Sequence, residues 1–176
     1  MKATGVVRRI DDLGRIVLPK ELRRTMRIKE GDSLEIYTDG TDLITLKKYS
    51  PVQSVNDFVD EFVDSVYASN KIDIVITDNE KVIASAGNFK TSLNGKKISL
   101  KLEEKLNKRQ TQIIDETEKF EICENIEMYR TMIIRPINVF GDIMGCVIVF
   151  GNKGITPLEK SIAEFSGTFM SRYLEG

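Results

Sequence analysis

The sequence contains no histidine. That excludes Ser–His and Cys–His nucleophile pairs, histidine-ligated metals and imidazole acid–base chemistry. Cysteine is almost as scarce. Cys123 and Cys146 are the only two, and no CxxC spacing occurs, which argues against a zinc site. They read as reduced, partly buried thiols of a cytosolic protein, with a bridge or redox switch as the alternative. Long apolar runs are missing too. The longest strongly apolar stretch, Cys146–Phe150, falls far short of the roughly 20 residues that cross a bilayer. Arg8, Arg9, Asp11 and Asp12 stand where a secretory signal needs an apolar segment. The expectation is a soluble, cytoplasmic protein with no membrane partner and no cofactor.

What is present is charge, unevenly placed. The 176-residue chain carries 26 Lys plus Arg against 27 Asp plus Glu, a net charge of −1. Residues 1–29 hold nine basic and three acidic side chains, so the remainder balances a start of +6 with −7. A basic beginning on an acidic body implies different partners for the two parts. At 41% hydrophobic the chain can fold throughout, as one large domain or two small ones.

Residues 4–10 read as a strand, Asp11–Gly14 as a turn and Arg15–Leu18 as a second strand. Pro19 ends sheet pairing and suits the first turn of a short helix over Lys20–Met26, with Leu22 and Met26 on one face. Alternation over Ser33–Thr38 and Leu43–Lys48, around Asp39-Gly40, predicts a hairpin. This unit has one-sided strands and neither disulfide nor metal, and its small size is near the limit for an isolated fold. Burying Val7, Leu18, Leu34, Ile36 and Leu46 against a second copy is the economical solution, so an obligate dimer is expected, with exchanged hairpins as one form.

Ser50-Pro51 marks the boundary. Ser50 with Gln53, or Ser54 with Asp57, provides a capping box for a helix carrying Val55, Phe58, Val59, Phe62, Val63, Val66 and Tyr67 at three- and four-residue spacings. A hairpin over Ile72–Thr77 and Lys81–Ala86 follows, then a helix over Ser99–Arg109 and two short strands within 112–122. Longer strands over Thr131–Val139 and Ile143–Phe150 join at Gly141-Asp142. The last helix opens with Thr156 as cap, Pro157 first and Glu159 third, and bears the stripe Leu158, Ile162, Phe165, Phe169, Tyr173. The order predicts an α+β domain with helices on an antiparallel sheet. Domains are placed at 1–50, a linker helix at 51–70, and 71–176, the linker helix serving as first helix of the second domain.

Arg8, Arg9, Arg15, Lys20, Arg23, Arg24 and Arg27 lie within twenty residues. Arginine's planar fork suits phosphate and the guanine edge, and a two-fold dimer doubles the surface. A solvated face paired with Asp11, Asp12 and Glu21 is the alternative. The stretch from Lys2 to Met26, with its core Leu13-Gly-Arg-Ile-Val-Leu-Pro-Lys-Glu-Leu-Arg-Arg24, resembles the AbrB family of bacterial transition-state regulators. The strand Leu34–Tyr37 and the segment Ile44–Tyr49 resemble it as well. The resemblance implies an all-β-rich swapped-hairpin dimer that binds double-stranded DNA. It places DNA-contacting arginines at Arg8, Arg15, Arg23 and Arg24, a basic position at Arg9, and a variable one at Lys20.

The second domain narrows the resemblance to members of that family in which an AbrB-like head precedes a GAF domain. These are regulators of late, forespore gene expression in spore-forming bacteria. A homodimer through 1–50 and a nucleoid-associated, forespore location follow from it, and pairing of the two outer helices across chains would join two dimers into a homotetramer through the GAF-domain helices. GAF domains often hold a small ligand, and here none is assigned. Asn107-Lys108 and Asp115-Glu116 occur without the intervening phenylalanine of cyclic-nucleotide GAF domains. Histidine-ligated haem is excluded by composition. Oligomerisation and ligand sensing both stay open, with Phe58, Phe62, Phe165 and Phe169 read as core or helix-pairing surface. The competing function is an antitoxin-type autorepressor, because MazE-type antitoxins share the swapped-hairpin head. Those usually end in a disordered tail, whereas residues 50–176 read as folded. Catalysis is not expected: no P-loop or nucleophile elbow occurs, and no motif places a carboxylate pair.

Overall fold

The computed structural model describes residues 5–175. The chain divides into two compact units, residues 1–49 and 50–176.

The first unit contains helix α1 (Lys20–Thr25) and the hairpin of strands β1 (Leu34–Thr38) and β2 (Ile44–Lys48). Pro19 precedes α1 as expected and is buried. The helix ends in a Schellman-type stop: Arg27 takes the left-handed conformation (φ 52), its amide bonds to the Arg24 carbonyl, and the Ile28 amide bonds to the Arg23 carbonyl. In the hairpin, Asp39 Oδ1 accepts the amides of Thr41 and Leu43, and Gly40 adopts φ 81. Ile36 pairs with Leu46 and Thr38 with Ile44, so one face of the ribbon is apolar.

The strands expected over 4–10 and 15–18 are a correction. Residue 4 lies outside the described residues, and among those described, 5–19 hold a turn at Asp12–Gly14 and no strand. A strand's amides and carbonyls need a paired neighbour along their length, and among the described residues 5–19 join none of the sheets. Val7 is 86% exposed, Val17 72% and Ile36 68%; Leu18, Leu34 and Leu46 are half-buried.

The second unit opens with α2 (Pro51–Ser54) and α3 (Asn56–Asn70). The single continuous helix expected here is broken at Val55, whose backbone (φ −115, ψ 32) is non-helical. Val55 therefore occupies the N-cap of α3 and supplies no side-chain acceptor. The expected boxes fall partly outside the described residues, since nothing is described of the Gln53 and Ser54 side chains. Ser50 Oγ donates to Asp78 Oδ2 at 2.8 Å. There follow β3 (Ile74–Thr77), β4 (Val82–Ala86), α4 (Lys90–Leu93), α5 (Leu100–Asn107), β5 (Gln112–Ile114), β6 (Phe120–Cys123), β7 (Ile126–Met128), β8 (Met132–Val139), β9 (Asp142–Phe150) and α6 (Pro157–Glu175). Neither α4 nor β7 was expected.

Five strands form one antiparallel sheet in the order β4-β3-β9-β8-β5, and β6 pairs with β7 separately. The turn between β8 and β9 is Phe140-Gly141 rather than Gly141-Asp142, with both residues at positive φ. Alternation sorts the core into two layers. Ile74, Ile76, Val147 and Val149 pack with Val59 and Val63 of α3 and with Ile162 and Met170 of α6. Val75, Cys146, Ile148 and Ile134 face the other way, against Leu102 and Leu106 of α5 and Phe120. With both faces covered, the strands read as near-continuous apolar runs.

The start of α6 follows its sequence signal. The Leu158 amide donates to Thr156 Oγ1 at 3.2 Å, the Thr156 amide to Glu159 Oε2 at 3.0 Å, and the Thr156 hydroxyl to the same carboxylate. Burial pushes the Glu159 carboxyl up, but the Thr156 hydroxyl and the Glu159 and Thr156 amides outweigh it and hold it below the usual range. Cys123 and Cys146 are free and buried. Burial pushes their thiols up to about 11 and about 12.

Candidate nucleic-acid interface

The six cationic residues singled out by the sequence, Arg8, Arg9, Arg15, Lys20, Arg23 and Arg24, are all exposed. Their positions are set locally. Lys20, Arg23 and Arg24 stand three and four residues apart on α1, so they share one helix face. The Schellman-type stop fixes where that face ends. Behind it, Lys48 at the end of β2 donates to the Arg27 carbonyl at 3.2 Å and pairs with Asp32 Oδ2 at 3.2 Å. Asp32 Oδ2 also accepts the Lys29 amide at 2.8 Å. The hairpin is thereby stitched to the turn that follows α1.

Arg15 is held from the other side of the Asp11–Gly14 turn. Asp11 Oδ1 accepts the Arg15 amide at 2.7 Å and the Leu13 amide at 3.0 Å, while Oδ2 pairs with Arg15 Nε at 2.7 Å. The backbone closes the same loop, from the Asp11 amide to the Arg15 carbonyl and from the Gly14 amide to the Asp11 carbonyl, both at 3.0 Å. Gly14 supplies the required positive φ of 75. The Arg15 amide, then its guanidinium, holds the Asp11 carboxyl below the usual range. Arg8 Nη1 donates to the Val7 carbonyl at 3.3 Å. Asp11 thus grips the backbone as well as pairing in charge. The signal was legible as an aspartate four residues before an arginine across a glycine turn.

The arrangement is suited to polyanions: exposed guanidinium groups on short, locally braced elements, with no long helix to enter a groove. Among the described residues no group of three or more Cys, Asp or Glu could hold a metal ion. None of the described helices is long and apolar enough to cross a membrane.

The second unit offers a different surface. Phe58, Phe62, Phe165, Phe169 and Tyr173 stack along α3 and α6, and Phe165 remains 62% exposed. An open groove of about 440 Å³ between these helices is lined by Phe62, Val66, Ile162 and Phe165, and by Ser166. The Ser166 hydroxyl is buried without a hydrogen-bond partner among the described residues.

A short basic head followed by a larger α+β unit defines a two-domain transcription regulator. The family model described as stage V sporulation protein T C-terminal, transcription factor, matches residues 54–175. The chain belongs to the stage V sporulation protein T family. It is 38% identical to stage V sporulation protein T of Bacillus subtilis (strain 168), over 99% of both chains. The head is 61% identical over 51 residues to the transition state regulatory protein AbrB of the same organism, spanning 29% of this chain and 52% of that one. Residues 7–54 also match the family described as antidote-toxin recognition MazE, bacterial antitoxin. Among solved structures, the GAF domain/HD domain protein of Geobacter sulfurreducens shares the fold of the second unit. Its TM-score is 0.51 at 14% identity, covering 68% of this chain and 91% of that one.

Proposed function

We propose that the protein regulates late, forespore sporulation genes by binding double-stranded DNA through residues 1–50. In this reading two copies exchange hairpins, so that residues 5–18 of each pair as strands. Arg8, Arg9, Arg15, Lys20, Arg23 and Arg24 of both copies then face the duplex. One observation carries it: the same short unit exposes its cations and its apolar residues together, Val7 at 86% and Ile36 at 68%. The exposed apolar residues are unfavourable in water, the cations attract a polyanion, and one dimer bound to DNA uses both. Phosphate contacts supply most of the affinity, and groove shape adds to the selectivity. The domains are assigned as a head over 1–50, a linker helix over 51–70 and a GAF-like body over 71–176. The body joins two dimers into a tetramer through α3 and α6, a role supported by the exposed Phe165 and the groove beside it. The protein acts without catalysis, in the cytoplasm on the nucleoid. Full-length protein titrated onto promoter and random DNA at several salt concentrations, with assembly mass measured alongside, tests this. Salt-independent binding, or a monomeric mass, overturns it.

The match to the MazE antitoxin family over residues 7–54 favours a second reading, an autorepressor whose body binds a toxin. Isolation of a toxin bound to the full-length protein would establish it.

A further inference from the structure

We infer that Asp11, an acidic residue in a head built for a polyanion, is a positioning residue that aims Arg15 at DNA. The inference rests on the reading that Arg15 contacts DNA. An aspartate beside DNA-facing arginines repels phosphate, so its presence requires an offsetting gain. Asp11 spends both carboxylate oxygens on one loop: Oδ1 on the Leu13 and Arg15 amides, Oδ2 on Arg15 Nε. It thereby fixes the backbone that carries Arg15 and the plane of its guanidinium. Among the described residues only Nε is taken, and the Arg15 side chain is still 69% exposed. Both terminal nitrogens remain for a ligand. An exposed ion pair of this kind adds little to stability. Its value lies in ordering a long side chain before binding, which lowers the entropy lost when the complex forms. Asp12, the exposed neighbour, is not among Arg15's partners and provides a control of equal charge.

The test uses the full-length protein and a promoter duplex followed by fluorescence anisotropy, with random duplex for comparison. Asp11→Asn keeps an oxygen for the turn amides and loses the charged pair; Asp11→Ala loses both. Electrostatics alone predicts that every one of these variants, including Asp12→Asn, binds more tightly. Positioning predicts that Asp11→Asn weakens promoter binding about tenfold, Asp11→Ala by at least as much, while Asp12→Asn binds as well as the parent or better. In an Arg15→Ala background Asp11→Asn then has no further effect, because the group it aims is gone. Assembly mass and thermal melting confirm that each variant is folded. If Asp11→Asn binds as tightly as Asp12→Asn while Arg15→Ala is weak, the positioning role fails and Arg15 keeps its place at the DNA. If Asp11→Asn is equally damaging without Arg15, the role fails as well. If Arg15→Ala binds normally, the assignment of Arg15 to the interface fails and takes the positioning role with it.

Discussion

The ring of Phe62 on α3 lies parallel to that of Phe169 on α6, with centroids 5.3 Å apart and planes inclined by 1°. Phe169 in turn stacks on Phe165 and Tyr173. This ladder joins α3 to α6, the last helix of the second unit, at a surface that also carries the open groove. Phe62→Ala is expected to cost about 2 kcal/mol of stability, by loss of half-buried apolar area and ring stacking. Urea unfolding followed by circular dichroism measures it. Phe165→Glu changes a mostly exposed position and should cost less stability than Phe62→Ala. In the proposed assembly it should nevertheless convert tetramers to dimers, which light scattering detects. A tetramer that survives Phe165→Glu would remove that residue from the interface.

Glu159 should matter to stability in a pH-dependent way. Glu159→Ala removes the acceptor of the capping box and is expected to cost about 1 kcal/mol at neutral pH. Because the folded protein holds this carboxyl below its ordinary value, its contribution is fully present above the ordinary glutamate range and is lost as pH falls through the lowered folded value. The stability gap between parent and variant should therefore close in acid and stay constant from about pH 5 upwards. Urea midpoints collected across that range check the sign.

Gly145 and Gly141, four residues apart, should respond very differently to alanine. A Cβ at Gly145 would stand 1.9 Å from the Thr77 carbonyl oxygen and 2.8 Å from Asp78 Cα, at φ +149. Backbone atoms at the end of β3 and in the turn that follows cannot yield as a flexible side chain does, so Gly145→Ala should cost about 3 kcal/mol or more. Gly141, at φ +92 with nothing within 4 Å of the added carbon, should lose only the conformational penalty of about 1 kcal/mol. Thermal melts of the two variants give the comparison.

Arg24→Ala should weaken binding to promoter and random DNA alike and reduce the slope of log affinity against log salt by about one. Arg24 is exposed on the last turn of α1, a placement suited to a phosphate rather than a base edge. An unchanged slope and affinity would take it out of the site.

The second unit was legible in the sequence because its signals are local and its partners lie in the same chain. Thr156, Pro157 and Glu159 announce α6, and the turn at Asp78 closes as expected, with the Asp78 amide bonded to the Lys81 carbonyl at 3.0 Å. The helix break at Val55 escaped notice because the apolar spacing runs straight through it. Strand β7 escaped because its three residues make too short a pattern to register. The head shows the opposite difficulty. Val6, Val7, Ile16 and Val17 have strand-like character, but strand formation there depends on a neighbour that no periodicity within the chain supplies. The basic residues were plain to see, whereas the grip of Asp11 on Arg15 depends on a turn geometry that residue types only suggest.

Cys123 and Cys146 both lie in the layer between the sheet and α5, out of reach of solvent and with thiolates strongly disfavoured. An alkylating reagent therefore gains access only when that layer opens. Maleimide or iodoacetamide uptake becomes a stopwatch for breathing of the second unit, which holds both thiols. The protein thus carries a built-in gauge with which lesions that loosen its body can be told apart from lesions that merely blunt its grip on a promoter.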